Sequence, residues 1–297
     1  MPITTTDNIT NLQEKVIGPA RMTLKDDVLA IKGSFKLVRG EAGMDDTYNS
    51  PKFPGVTAFG LTEGVDMVTE TLVDSNVPVS ATEVGVSVEI SKKNLRTVKR
   101  DQFLRDAGKA MASAINVKQE QDCATYIDGF GTVVGLDGTS ATLATLGAAQ
   151  AQLAANTEPI NEVMMQRVNA VLHPYQWHDI RQMLFPTGSG DSHAPMSPTP
   201  PAIAERAFGK FYPVGSYYGM AIRTSTNLVT SGTDVRGGVF HPDAVLFYEF
   251  MPVDMEIDDS DKSMRSVELD MVIDYGIGEL NDGFGREVDS DITAPTS

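Results

Sequence analysis

The chain has 297 residues, with 40 acidic side chains against 24 basic ones and a formal net charge of −16. An ordinary apolar fraction, 41% hydrophobic, excludes wholesale disorder, and the acidic balance excludes a dedicated nucleic-acid binder or an anionic membrane surface as partner. The start, MPITTTDNITNLQEK, lacks the basic and apolar regions of a signal peptide; no apolar run approaches bilayer length; and a single cysteine, Cys123, forbids an intrachain disulfide, all of which fits a protein made and kept in a cytosol.

Residues 1–53 are polar and weakly periodic, and read as an extended arm with one short helix around Asn11 to Ile17. Such an arm has little core of its own and must lie on something else. From Pro54 to Ser91 the signals are β: Val77, Val79 and Ala81 alternate with polar or proline positions, then the apolar set slips by one residue to Val84, Val86, Val88 and Ile90. A one-residue slip turns the apolar face over unless a bulge absorbs it, and Thr82-Glu83 is the expected place. With Val65 and Met67 as its first strand, this segment reads as a long two-stranded hairpin, which is marginal in water and must borrow support.

Asp101 to Asp128 reads as a helix about 42 Å long, with Asp101 as N-cap, Phe103, Ala107, Ala110, Ala114, Val117 and Ala124 at helical spacing, Leu104, Met111 and Ile115 beside them, and Gly129 and Gly131 as the stop. An Ala/Thr/Gln-rich helix (Ser140 to Asn156), a buried strand (Val168 to Leu172), a helix from Pro174 to Phe185, a loop from Pro186 to Pro201, a short helix AIAERAFG and a strand around Phe211 to Arg223 follow. At the end, Val253, Met255 and Ile257, then Val267, Leu269, Met271, Ile273 and Tyr275, alternate with acidic residues, an antiparallel hairpin pattern. Matching the apolar faces sets Asp254 opposite Glu268, a repulsive pair that solvent screens or a basic partner covers.

No catalytic motif emerges. GIGELNDGFG has asparagine, Asn281, where a dinucleotide loop needs its third glycine. DDSDKSMRSVELD is acidic like a calcium loop but places Met264 where that loop needs glycine, so a solvated turn is the simpler reading. His173 and His178, five residues apart, do not stack on one helix face as a zinc pair would; His193 and His241 stand in loop contexts, Cys123 is a small apolar residue inside the long helix, and no GxSxG or Walker loop is present. The expectation is therefore a protein without catalytic residues, metal or cofactor.

One charge pattern stands out. Residues 61–90 hold Glu63, Asp66, Glu70, Asp74, Glu83 and Glu89 and no lysine or arginine; the segment that follows at once holds Lys92, Lys93, Arg96, Lys99, Arg100, Arg105 and Lys109. A solvated charged face is the plain alternative. Against it stand the uniform sign of the acidic segment and its need for outside support.

The order of elements resembles the major capsid protein of tailed bacteriophages, a fold shared with encapsulin shells. GLTEGVDM at Gly60 to Met67, VLHPYQWHDIRQML at Val171 to Leu184 and GGVFHPDAVLFYEF at Gly237 to Phe250 carry the resemblance, which spans nearly the whole chain and rests on the order of these phrases. It implies an α+β fold with an N-terminal arm (1–53), an extended β-hairpin loop (54–91), a peripheral domain with a long spine helix (92–131 and 236–297) and an axial domain (132–235). It also implies a subunit that self-assembles as hexamers and pentamers into an icosahedral shell around double-stranded DNA, held without specific binding. Scaffold, portal and decoration proteins are the implied partners, the virion the implied location and the host cytoplasm the implied place of assembly. In that family the extended loop lies across the adjacent subunit. Glu63, Asp66, Glu70 and Asp74 of one copy would then face Lys92, Lys93, Arg96, Lys99 and Arg100 of the next. Some capsids of this fold are stapled through an extended-loop lysine; between Lys52 and Lys92 this chain has none, so the expectation is a shell without that crosslink. No scaffolding-length N-terminal extension precedes the arm, so a separate scaffold protein or a removed extension is expected. The alternatives are an encapsulin-type compartment with protein cargo and, from another class, a soluble α/β enzyme or binding protein without a recognisable motif.

Overall fold

The computed structural model describes residues 30–40, 45–52, 58–67, 69, 71, 75–93, 100–155, 168–184, 215–217, 219–258 and 265–294. The expected helix at Asn11 to Ile17, the loop from Pro186 and the helix AIAERAFG lie outside them. In chain order the elements are β1 (Lys36–Arg39), β2 (Thr47–Lys52), β3 (Ser75–Ser80), β4 (Thr82–Ser91), α1 (Arg100–Ile127), β5 (Val133–Gly135), α2 (Leu143–Ala154), β6 (Asn169–Leu172), α3 (Pro174–Leu184), β7 (Gly215–Tyr217), β8 (Met220–Thr224), β9 (Val229–Ser231), β10 (Asp234–Phe240), β11 (Val245–Asp258), β12 (Ser266–Glu279) and β13 (Gly285–Asp291). They form a four-stranded sheet in the order β1-β11-β12-β4, a seven-stranded sheet running β5-β13-β10-β6-β8-β7 with β9 paired to β10, and the ribbon β2-β3.

The expected hairpin over 54–91 is corrected. Val65 and Met67 are not strand residues: Gly64, at φ +82°, and the bond from Val65 N–H to Thr62 C=O at 3.2 Å turn the chain there. β3 pairs instead with β2, Val77 opposite Ser50 and Val79 opposite Tyr48, while β4 pairs with β12 along its full length, Val86 opposite Met271 and Ile90 opposite Val267. The slip in apolar phase falls at Ala81, not at Thr82-Glu83. It marks a strand that leaves one sheet for another, not a bulge within one. β4 is thus the third strand that the C-terminal hairpin needs.

α1 spans 28 residues, and Asp101 lies inside it rather than at its cap. Its buried line is Leu104, Met111, Ala112, Ile115, Cys123, Ala124 and Ile127; Val117, expected on that line, is 41% exposed. The larger side chains settle the choice, because they bury more apolar surface per residue. This line packs on Met255, Val267, Leu269, Met271 and Ile273 of the four-stranded sheet, forming the larger core. A second core lies between the seven-stranded sheet, α2 and α3, around Leu146, Leu172, Trp177, Ile180, Ile222 and Val239. Thr142 caps α2 by accepting the Thr145 N–H at 3.1 Å. The Gln176 amide crosses this core, donating to Val235 C=O at 3.0 Å and Ser290 Oγ at 2.7 Å.

Two further expectations change. The seven-stranded sheet takes β10 and β13 from the C-terminal region alongside β5, β6 and β8, so the boundary drawn at 235/236 does not follow strand pairing. Asp254 faces Val272, and Glu268 faces Asp258. The shift comes from irregularities in β11 between Glu249, Met251 and Asp254, which period counting along one strand does not register.

The glycines of GIGELNDGFG have a packing role. A Cβ at Gly276 would stand 2.4 Å from Ser80 O, and one at Gly278 would stand 2.3 Å from Val79 Cγ2. These positions stay bare so that the root of the ribbon can lie on β12. Val79, Leu246 and Tyr248 form a small core there, with the Tyr48 ring tilted against Tyr248 at 5.5 Å between centroids. Asp282 to Phe284 is a single 3-10 turn leading into β13.

Candidate intersubunit surfaces

The ribbon β2-β3 and the segment between its strands form the first surface. Ahead of the firmly packed Val79, Phe59 is 47%, Leu61 70%, Val65 68% and Met67 67% exposed. Glu63 and Asp66 are exposed among them. Large apolar side chains alternating with carboxylates and left in solvent mark a surface made for a partner. Glu70 and Asp74 lie outside the described residues.

The basic segment is the second. β4 ends at Ser91, and Lys92 donates its backbone N–H to Arg265 C=O at 2.7 Å, which ties the start of the segment to the start of β12. Arg265 sits in the left-handed region at φ 55°. Lys92 is half-buried and Lys93 exposed. Arg96 and Lys99 lie outside the described residues, and α1 begins at Arg100, of which only the backbone is described. Within one copy the loop acids and these cations belong to separate segments, one on the ribbon and one at the helix start.

The third surface is the face of the four-stranded sheet turned away from α1. Glu83 and Glu89 belong here rather than to the loop. Strand pairing sets Glu89 opposite Glu268 and Glu268 opposite Asp258; Asp270 faces Glu256; Asp274 faces Glu83. With Asp254, eight carboxylates occupy one face; among the described strand positions its one cation is Lys36 of β1, which is paired with Asp243 at 3.3 Å. Like charges directly opposite destabilise a sheet; among these side chains Ser87 Oγ donates to Glu268 at 2.9 Å. Met251 and Val272 give the groove between the carboxylates an apolar floor.

Two ionic joints, one buried and one partly exposed, hold these surfaces in place. At the first, Glu120 of α1, 3% exposed, accepts the backbone N–H groups of Ile31 at 3.0 Å and Lys32 at 3.1 Å, and the Ser225 hydroxyl at 3.2 Å. Burial raises the Glu120 carboxyl, opposed by those hydrogen bonds. Burial also lowers the Lys32 ammonium, which reaches Gln119 at 3.0 Å and stands 4.4 Å over the Phe247 ring. At the second joint, Arg236 of β10 binds Asp128 at the end of α1 and approaches Glu287 at 3.4 Å. Burial, with Asp128 and Asp289 nearby, pushes Glu287 up to about 7; burial and a hydrogen bond with Asp137 push Asp289 up to about 6.

His173 and His241 serve local structure. His173 accepts the Tyr175 N–H at 3.2 Å, and His241 accepts the Asp243 N–H at 3.2 Å as the cap of a 3-10 turn. Among the described residues no group of three His, Cys, Asp or Glu side chains is placed to hold a metal ion, and no helix is long and apolar enough to cross a membrane.

Period counting missed Glu120, yet a signal was there. It sits four residues after Asn116 and four before Ala124, both buried, so a carboxylate stands on the buried line of the helix. Arg236, Glu287 and Asp289 carried no such signal, because β10 and β13 are joined only in the folded sheet.

A family model described as "Phage capsid protein" matches residues 75–283. No curated protein sequence matches. Among solved structures, the capsid of Ralstonia phage GP4 is 14% identical, with 89% of this chain and 88% of that chain covered at a TM-score of 0.64. The head structure of Helicobacter pylori bacteriophage KHP40 is 11% identical, with 86% and 87% covered at 0.61. The holo-SrpI encapsulin complex from Synechococcus elongatus is 11% identical, with 91% and 90% covered at 0.60.

Proposed function

The chain belongs to the phage capsid protein family and is a shell-forming structural subunit of the virion; on that premise we propose that copies join by laying the acidic loop of one across the basic helix start of the next. The observation that carries this reading is the exposed set Phe59, Leu61, Val65 and Met67, interleaved with Glu63 and Asp66 and rooted on β12 by a packed ribbon. Glu63, Asp66, Glu70 and Asp74 pair with Lys92, Lys93, Arg96, Lys99 and Arg100 of the neighbour, at about 0.2–1 kcal/mol for each exposed pair. Repetition over a closed shell makes such small contributions decisive for register and partner choice, while the apolar side chains supply the buried area.

The four-stranded sheet with α1 forms the peripheral part and the seven-stranded sheet the axial part, with β10 and β13 reassigned to the latter. The shell closes from hexamers and pentamers around double-stranded DNA, which its net acidity repels rather than grips. It performs no catalysis. It assembles in the host cytoplasm with scaffold and portal proteins. The encapsulin-type compartment is the second reading, and its support is the extent of the match to the Synechococcus shell.

Negative-stain electron microscopy of the expressed protein, alone and with the products of neighbouring genes, tests the shell. Closed particles, sheets or tubes of hexamers are expected, and nucleic acid rather than an enzyme inside them separates the two readings. A uniform small particle in every condition would overturn both.

A further inference from the structure

Gln119 of α1 is a carboxamide only 1% exposed, and only one of its two ends is met. Its Oε1 accepts a hydrogen bond from Lys32 Nζ at 3.0 Å, across 87 residues of chain. Its Nε2 is buried and has no hydrogen-bond partner among the described residues. Gln176, equally buried, shows the contrast: its Oε1 accepts the His173 N–H at 2.9 Å, and its Nε2 donates to both Val235 C=O and Ser290 Oγ. A buried donor left unmet costs free energy, so the site at Gln119 gains if that nitrogen leaves.

We propose that Lys32 and Gln119 are the two halves of an isopeptide bond that the chain closes within itself, fixing the end of the arm to α1. The neutral Lys32 amine adds through Nζ to Gln119 Cδ, and the C=O electron pair moves onto Oε1. As that pair returns, the Cδ–Nε2 bond breaks. Nζ gives up one proton, Nε2 takes one, and ammonia leaves. One C–N bond replaces another, nothing is oxidised or reduced, and no co-reactant is needed. The bond lies inside one subunit, so the inference does not depend on the shell reading and adds no multiple of the chain mass.

Position favours the step. With Nζ 3.0 Å from Oε1 and a C=O bond of about 1.23 Å, Nζ stands no farther than about 4.2 Å from Cδ. A shift of about 1 Å brings it to attack distance, and the flexible lysine stem allows that shift. Glu120, the next residue of α1, is a positioning group: it accepts the backbone N–H of Ile31 at 3.0 Å and of Lys32 at 3.1 Å, which fixes the root of the lysine. The Phe247 ring lies 4.4 Å from Nζ. Burial lowers the Lys32 ammonium; Glu249 of β11 and Cys123 and Glu120 of α1 oppose it, and Arg39 of β1 adds to it. The reactive neutral amine is therefore more abundant than on an exposed lysine at the same pH.

The test is mass spectrometry of the full chain, as free subunit and as any particle it forms, after incubation at pH 7 and at pH 9. A chain lighter by one ammonia is expected, together with a branched tryptic peptide joining Lys32 to Gln119, and both accumulate faster at pH 9. K32R and Q119M chains are expected to keep full mass. A full-mass unaltered chain in every condition overturns the proposal, as does loss of ammonia without the branched peptide or loss that persists in K32R. None of these outcomes depends on whether particles form, so failure here and failure of the shell reading are separate. A second readout is urea unfolding of linked and unlinked fractions of the unaltered chain. The linked fraction is expected to unfold at higher urea, because the bond restricts the unfolded chain, and equal midpoints count against a staple.

Discussion

Glu120 accepts the backbone N–H of Ile31 at 3.0 Å, although 89 residues separate them. With Lys32 N–H and Ser225 Oγ on the same carboxylate, this one side chain joins three distant parts of the chain: the end of the arm, the long helix and the turn after β8. Each bond satisfies a donor that is otherwise buried without a partner. Glu120→Ala leaves Ile31 and Lys32 N–H unmet beside a half-desolvated ammonium, at a cost of about 3 kcal/mol. Glu120→Gln keeps an acceptor and costs about 1 kcal/mol. Urea unfolding of the unassembled subunit measures both, and equal costs for the two substitutions refute the clamp.

The joint around Arg236 gives stability a pH dependence. Glu287 and Asp289 face Arg236, Asp128, Asp137 and Asp234, so carboxylates outnumber the one guanidinium. Their folded values, about 7 and about 6, lie above the ordinary carboxylate range. A raised value means that the folded state holds the proton more tightly than the unfolded chain does. The resulting stability is full below about pH 4 and fades as pH rises through 6 to 7. Melting temperature compared between pH 5.5 and pH 8 is expected to fall with pH, and Glu287→Gln is expected to flatten the fall by on the order of 2 kcal/mol. An unchanged slope in Glu287→Gln rejects the assignment.

How much of this was readable in one dimension follows from how local each signal is. α1, α2 and α3 appear within three residues of their expected bounds, because each carries its own period of 3.6. β11 and β12 are likewise written in their alternation. The partners of β2, β3 and β4 were not readable. Ser50 meets Val77 and Val88 meets Leu269, and alternation names a face without naming the strand beside it. Gly276 and Gly278 looked like a nucleotide loop because bare backbone serves any close approach, here that of Val79 and Ser80. The acidic loop was legible as charge. That Glu83 and Glu89 leave it for the sheet became clear only from the break at Ala81.

Reversing Lys92 and Lys93 to glutamate places two carboxylates where the neighbour's Glu63 and Asp66 are proposed to lie. The K92E/K93E subunit is expected to keep its fold, because the Lys92 bond to Arg265 uses backbone atoms. It is expected to lose assembly. Circular dichroism and electron microscopy read the two properties separately, and shells of normal yield and shape would falsify the contact.

The loop lacks a lysine between Lys52 and Lys92, so copies should separate fully once unfolded. Boiling shells in detergent is expected to give one band at the 32.0 kDa chain mass. A ladder of covalent multiples would show a bond between copies that these residues do not explain.

The acidic face predicts a substitution that strengthens the free subunit. Glu268 stands between Glu89 and Asp258, one on each side, and removing the central charge relieves both repulsions while Ser87 Oγ keeps an acceptor in the amide oxygen. Cross-strand pairs of this kind are each worth a few tenths of a kcal/mol to about 1 kcal/mol. Glu268→Gln is therefore expected to stabilise the unassembled subunit by about 0.5 kcal/mol at low salt, with the gain shrinking as salt screens the exposed charges. Urea unfolding of the subunit at low and high salt measures the gain and its screening, and an unchanged stability at low salt rejects the repulsion.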